Sequence, residues 1–197
     1  MLEGSATALA DLRSLLREEG GLLASLVGEE TQADAPQREP RGGLNGASVN
    51  GAAAMSPAQI AAGGPRTERQ AEQYELLVEA IYEGYLLHYG APRVVRSCDA
   101  DLRVLAGDRL YAIGLARLVE LGDTAAVAEL ADTITLSALA QGAGDLRLAD
   151  AVWAAGARAV GWGCSEQHTR AKELVTDGAP EAFEAMRTSA APSPSTP

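Results

Sequence analysis

The chain has 197 residues, a net charge of -11 at pH 7 and a hydrophobic fraction of 47%, while aromatic residues make up only 4%. This length fits one domain with or without appendages, and the acidity argues against nucleic-acid binding because an acidic surface repels phosphates. Ala and Leu dominate the apolar residues, which favours packed helices over a β-sandwich. No run of about 18 uncharged apolar residues occurs, so we expect a cytoplasmic protein that does not span a membrane.

The two ends of the chain differ in composition from its middle. Residues 1–28 predict an amphipathic helix, because leucines recur there at helical spacing, although Gly20-Gly21 weakens it. Residues 29–66 are rich in Gly, Ala and Pro and offer almost no large apolar side chain, so they predict a disordered linker. By the same argument residues 189–197 predict a disordered tail.

Residues 67–188 have helical periodicity throughout and predict the folded domain. The predicted helices span 68–89, 100–121, 125–141 and 146–162, followed by a fifth capped by Ser165 and a sixth starting at Pro180. A capping box at Thr67-x-x-Gln70, an N-cap at Asp99 and a stop at Gly122 set the boundaries. Short loops make sequential helices antiparallel. We therefore expect an all-α fold, an antiparallel bundle of about six helices.

The pair Gly107-Asp108 lies unexpectedly inside the second of these helices. Glycine in a helix interior is less favourable than alanine by about 1 kcal/mol, so a packing requirement should have selected it. Asp108 is flanked by Leu105, Leu110 and Ile113. We expect its carboxylate to be buried, held by a donor and structural.

The same stretch carries a family resemblance. Val104-Leu105-Ala106-Gly107-Asp108, with Gly90-Ala91-Pro92 upstream, resembles a helix of trans-isoprenyl diphosphate synthases and the Gly-x-Pro before it. The resemblance implies part of the isoprenoid synthase fold. It assigns structural roles to Gly90, Pro92, Gly107 and Asp108. It also places Glu79 and Glu83 on the outer carboxylates of the family's aspartate-rich motif, which holds magnesium.

The departures from that family bear on catalysis. Ala80 replaces the middle carboxylate, His88-Tyr89 stands where the family has an arginine pair, and no second aspartate-rich motif follows. A chain of this kind is similar to the non-catalytic small subunits of heteromeric prenyl diphosphate synthases. We therefore expect no catalytic residue and no cofactor, with magnesium only if the degenerate pair Glu79 and Glu83 is active.

Simpler interpretations exist for each titratable candidate. Glu79 and Glu83 fit a solvated acidic helix face as well as a metal site. The C-terminal dipole of its helix would favour His88, and His168 fits a surface position in the first turn of the fifth helix.

The sequence leaves three functional hypotheses. The first is a non-catalytic polyprenyl-synthase-like helical protein that acts as an accessory or regulatory subunit. The second is a helical interaction scaffold that docks a partner through its tethered N-terminal helix. The third is an enzyme acting on prenyl diphosphates through Glu79 and Glu83. In the first two the partner is a protein; a prenyl diphosphate synthase and a second copy of this chain are two candidates.

Overall fold

The computed structural model describes residues 2–28, 55–96 and 99–192. These residues contain nine α-helices and no strand, which confirms the all-α prediction; one isolated bridge joins Val27 to Val95. The helices are α1 (Leu2–Glu19), α2 (Gly21–Leu26), α3 (Pro57–Ala62), α4 (Ala71–Tyr89), α5 (Ala100–Glu120), α6 (Thr124–Gly142), α7 (Leu146–Trp162), α8 (Glu166–Thr176) and α9 (Ala182–Ala190). No helix among the described residues is long and apolar enough to cross a membrane.

Helix boundaries in the predicted domain follow from side-chain caps. Asp99, Asp123, Asp145 and Ser165 each accept a hydrogen bond from the backbone N–H three residues later, at the start of α5, α6, α7 and α8. All six predicted helices are present, as α4 to α9. The last begins at Ala182 rather than at Pro180 and includes residues 189 and 190, so the predicted start of the tail at residue 189 is wrong. Residues 193–197 lie outside the described residues.

Part of the predicted linker is folded, so the boundary at residue 66 is wrong. Residues 29–54 lie outside the described residues, but Ser56 caps α3 in a capping box with Gln59. Ala58 and Ala61 are fully buried. Composition misled here because α3 packs through small residues rather than large apolar ones.

The segment after α3 also starts differently from the prediction. Thr67 and Gln70 do not form a capping box: the Thr67 hydroxyl donates instead to the carbonyl of Ala61 at 2.7 Å. A short 3-10 helix, Glu68–Gln70, follows, and α4 then begins at Ala71.

The N-terminal helices pack on the bundle. Leu12 and Leu16 of α1 are fully buried, and they share a core cluster with Leu87 of α4 and Leu110 of α5. Glu19 at the end of α1 binds two arginines of α5. The apolar face of this amphipathic helix is therefore covered within the same chain.

Glycines bring the neighbouring helices close together. A Cβ on Gly114 of α5 would lie 2.3 Å from the Ile81 side chain of α4, and one on Gly156 of α7 would lie 2.0 Å from the Thr133 hydroxyl of α6. Such distances are shorter than packed atoms allow. These two helix pairs, α4–α5 and α6–α7, form the frame that positions the polar clusters described below.

Candidate functional site

Glu79 and Glu83, the predicted metal ligands, lie one turn apart on α4. Both are buried, with 2% and 0% of their surface exposed. The alternative of a solvated acidic face is therefore wrong. Two buried carboxylates need donors or counter-charges, because an isolated charge away from water is strongly unfavourable.

The chain directly after α4 supplies those partners. Backbone N–H groups of Arg93, Val94 and Val95 donate to Oε1 of Glu83 at 2.7, 2.6 and 3.3 Å. The guanidinium of Arg93 donates to Oε2 of Glu83 at 3.3 Å and also forms an ion pair with Glu79. One loop therefore closes over both carboxylates.

Burial and the neighbouring charges both affect the pKa of Glu79 in this cluster. Burial raises the pKa of Glu79, Arg93 opposes that rise, and the nearby carboxylate of Glu83 adds to it. The described residues contain no group of three or more His, Cys, Asp or Glu side chains placed to hold a metal. Carboxylate oxygens are suitable magnesium ligands, but those of Glu79 and Glu83 already bind the Arg93 guanidinium and three backbone N–H groups. Magnesium would have to displace these donors.

Gly90 and Pro92 lie just after the last residue of α4. Gly90 is the C-cap residue, and its N–H donates to the carbonyl of Leu86 at 2.9 Å. Its own carbonyl accepts from Arg103 of α5 at 3.1 Å. Proline has no N–H and cannot continue the helix. The chain therefore turns at Pro92 and brings Arg93 back over α4.

Gly107 and Asp108 differ in their environments. A Cβ on Gly107 would lie 2.5 Å from Nε2 of His88 and 3.1 Å from the carbonyl oxygen of Gly84, so glycine permits the close approach of α4 and α5. Asp108 is not buried, and that prediction is wrong: its side chain is 65% exposed and pairs with His88 at 3.2 Å. Successive helix residues are rotated by about 100°, so Asp108 turns away from α4 when Gly107 faces it.

A second polar cluster, which the sequence analysis missed, joins α6, α8 and α9. His168, expected at the surface, is 3% exposed. Its ring nitrogens lie 2.7 Å from Oε1 of Glu129 and 2.6 Å from the hydroxyl of Ser189. Lys172 donates to Glu129 at 2.9 Å and to Asp132 at 2.8 Å.

Burial raises the pKa of Glu129, but the hydrogen bonds and charges of His168 and Lys172 outweigh it and lower the pKa overall. For Lys172, burial lowers the pKa, while the two carboxylates raise it more. Both ionised forms are therefore favoured by the fold, as in a structural ion-pair cluster.

The hydrogen-bonded trio Ser189, His168 and Glu129 resembles a catalytic triad of nucleophile, base and acid. A cavity of about 430 Å³ lies beside it. A catalytic triad also needs donors that stabilise a developing oxyanion. Ser189 lies in the last turn of α9, where the helix dipole presents negative charge. That position disfavours an oxyanion, so we assign the trio to holding three helices together.

A pattern in the sequence could have revealed this cluster. Glu129 and Asp132 are three apart on α6, and His168 and Lys172 are four apart on α8. Each pair occupies one helix face. Two such faces of opposite charge predict a contact between the helices.

Against known proteins, the chain shows no match: neither a protein-family model, nor a curated protein, nor a solved structure corresponds to it. The functional argument therefore depends on the geometry above.

Proposed function

We propose that this chain is a non-catalytic helical protein that acts as an accessory or regulatory subunit, as its resemblance to polyprenyl diphosphate synthases implies. One observation carries the proposal. The two carboxylates that would share magnesium with a diphosphate, Glu79 and Glu83, already bind Arg93 and the backbone behind it. They serve the fold, and prenyl transfer needs them free.

The second hypothesis, docking through a tethered N-terminal helix, receives no support from the contacts. Leu12 and Leu16 would have to leave the core before they could bind a partner. Burying a leucine side chain stabilises a fold by about 1.5–3 kcal/mol, so exposing both would be unfavourable. An accessory role then needs another surface.

The experiment measures prenyl transfer by the purified full-length chain. Farnesyl and isopentenyl diphosphates with magnesium should give no product. A polyprenyl diphosphate synthase should, in turn, co-purify with the chain and change its activity or product length. Magnesium-dependent product from the chain alone, abolished by Glu79→Gln but not by the exposed-site control Glu173→Gln, would overturn the proposal.

A further inference from the structure

The outer face of α5 is apolar although no described element covers it. Leu105 and Val119 are each 56% exposed, and Ala112 and Ala116 between them are also exposed. The other faces of α5 meet α4, α1 and α6. We call these four residues the α5 seam.

The seam has the spacing of a helix-pairing surface. Leu105, Ala112 and Val119 are seven residues apart, so they lie on one line along the helix, as in a coiled coil. At 1.5 Å per residue the line is about 21 Å long. Its centre is alanine, which lets a second helix approach closely, and its ends carry the large side chains.

We propose that the α5 seam binds the α5 seam of a second copy of this chain, antiparallel about a two-fold axis at Ala112. This deepens the proposed function by naming a protein partner, and it rests on that function only in treating the molecule as one that binds protein. In such an isologous pair each patch contacts its own copy. Leu105 then meets Val119 of the other copy, twice.

The charges beside the seam fit the same arrangement. Arg109 and Glu120 lie on the same flank of α5, on either side of Ala112. The two-fold axis brings like flanks together with their heights reversed. Arg109 of each copy is thus directed toward Glu120 of the other. Arg109 is 58% exposed even while it binds Glu19, and Glu120 is exposed, so both are accessible.

A parallel pair would lack this contact, because a two-fold axis along the helices brings opposite flanks together and leaves Arg109 of one copy across the seam from Glu120 of the other. The short seam also limits the strength of the dimer. Two helices in contact along this seam bury much less surface than the roughly 1,600 Å² of a standard interface. We therefore expect a dissociation constant of roughly 10⁻⁵ to 10⁻³ M.

Sedimentation equilibrium of the full-length chain tests the proposal over that concentration range. The parent should shift from monomer to dimer, and Leu105→Glu should weaken the dimer at least tenfold. Leu146→Glu is the matched control, because Leu146 is 61% exposed on α7, and it should change nothing. Arg109→Glu and Glu120→Arg should each weaken the dimer, and their combination should restore it.

Cysteine cross-linking tests the orientation, in a background where Cys98 and the exposed Cys164 are serine. Ala112→Cys should form a disulfide with its own copy. Ala116→Cys should not, because an antiparallel pair separates the two copies of residue 116 by about 12 Å along the helices, beyond the roughly 7 Å limit for a disulfide.

Three results would overturn the proposal: a monomer at roughly 1 mM, a dimer indifferent to Leu105→Glu, or equal cross-linking at both cysteines. None of these bears on prenyl transfer, so this inference and the proposed function fail independently.

Discussion

Glu83 combines complete burial with an unusually full set of donors. Its side chain is 0% exposed and accepts from three backbone N–H groups and from the Arg93 guanidinium. Glutamine has nearly the same shape but lacks the charge, and its NH2 group would replace one accepting oxygen and face a donor. The side chain of residue 83 therefore holds the loop after α4 against that helix.

We expect Glu83→Gln to lower the free energy of unfolding by roughly 2–4 kcal/mol, because it weakens the acceptor of three backbone donors and removes one of the two carboxylates that pair with Arg93. Urea denaturation followed by circular dichroism measures the change. Glu173→Gln, at an exposed position of α8, is the matched control and should stay within about 0.5 kcal/mol. Equal stability of the two variants would contradict the burial of Glu83.

At the scale of elements, glycine contacts set the distance between helices. We expect Gly114→Ala to destabilise the fold by about 1–3 kcal/mol, the usual range for overpacking, because the new methyl group would overlap Ile81. Gly142→Ala has nothing within 4 Å and should be neutral or stabilising by up to about 1 kcal/mol, as helix propensity predicts. Thermal unfolding of both variants checks the pair, and a Gly114→Ala protein as stable as Gly142→Ala would refute close α4–α5 packing.

The ion-pair cluster between α6 and α8 should make stability depend on pH at both extremes. The folded pKa of Glu129 is lowered from its ordinary 4.5, so its contribution is present above that value and is lost as pH falls through the folded pKa. The folded pKa of Lys172 is raised from 10.5, so its contribution is present below that value and is lost as pH rises further.

Urea denaturation at a series of pH values measures both effects. Glu129→Gln should flatten the loss of stability below about pH 4.5, and Lys172→Met should flatten the loss above about pH 10.5. Glu173→Gln, next to Lys172 in sequence, should lose stability at low and at high pH as the parent does. Unchanged slopes in the first two variants would show that the cluster does not couple to folding.

The sequence predicted helices better than it predicted their surroundings. Caps such as Asp99 and Ser165 are local, so the six helices of the bundle were found within a few residues. The predictions that Asp108 is buried and that His168 is exposed are both wrong, because the burial of a side chain depends on which helices pack together. The partner of Glu83 lies ten residues away in a loop, and periodicity within one helix cannot reveal it.

At the scale of the whole molecule, α1 belongs to the bundle despite the long segment that separates it from α3. A protease site inserted between Gly42 and Gly43 lies outside the described residues, so cleavage there removes no described contact. We expect the two fragments to remain associated in gel filtration, because α1 buries its leucines against α4 and α5.

Two substitutions sharpen that experiment. Leu16→Asp places a charge at a fully buried position of α1 and should release the N-terminal fragment, while Leu22→Asp, at a position 41% exposed, should not. Separation of the fragments in the parent protein would mean that α1 does not pack stably on the bundle.

The turn that follows α4 is held from two sides. Glu83 accepts its N–H groups from one side, and on the other Gly28 donates to the carbonyl of Val94 at 3.0 Å while Arg96 donates to Leu26 at 2.8 Å. Amide protons exchange with solvent only when their hydrogen bonds open. A segment without regular secondary structure should thus exchange as slowly as the helices around it. The amides of Arg96 and Gly28 would report the detachment of residues 26–28 from this turn, because each donates across the contact between the two segments.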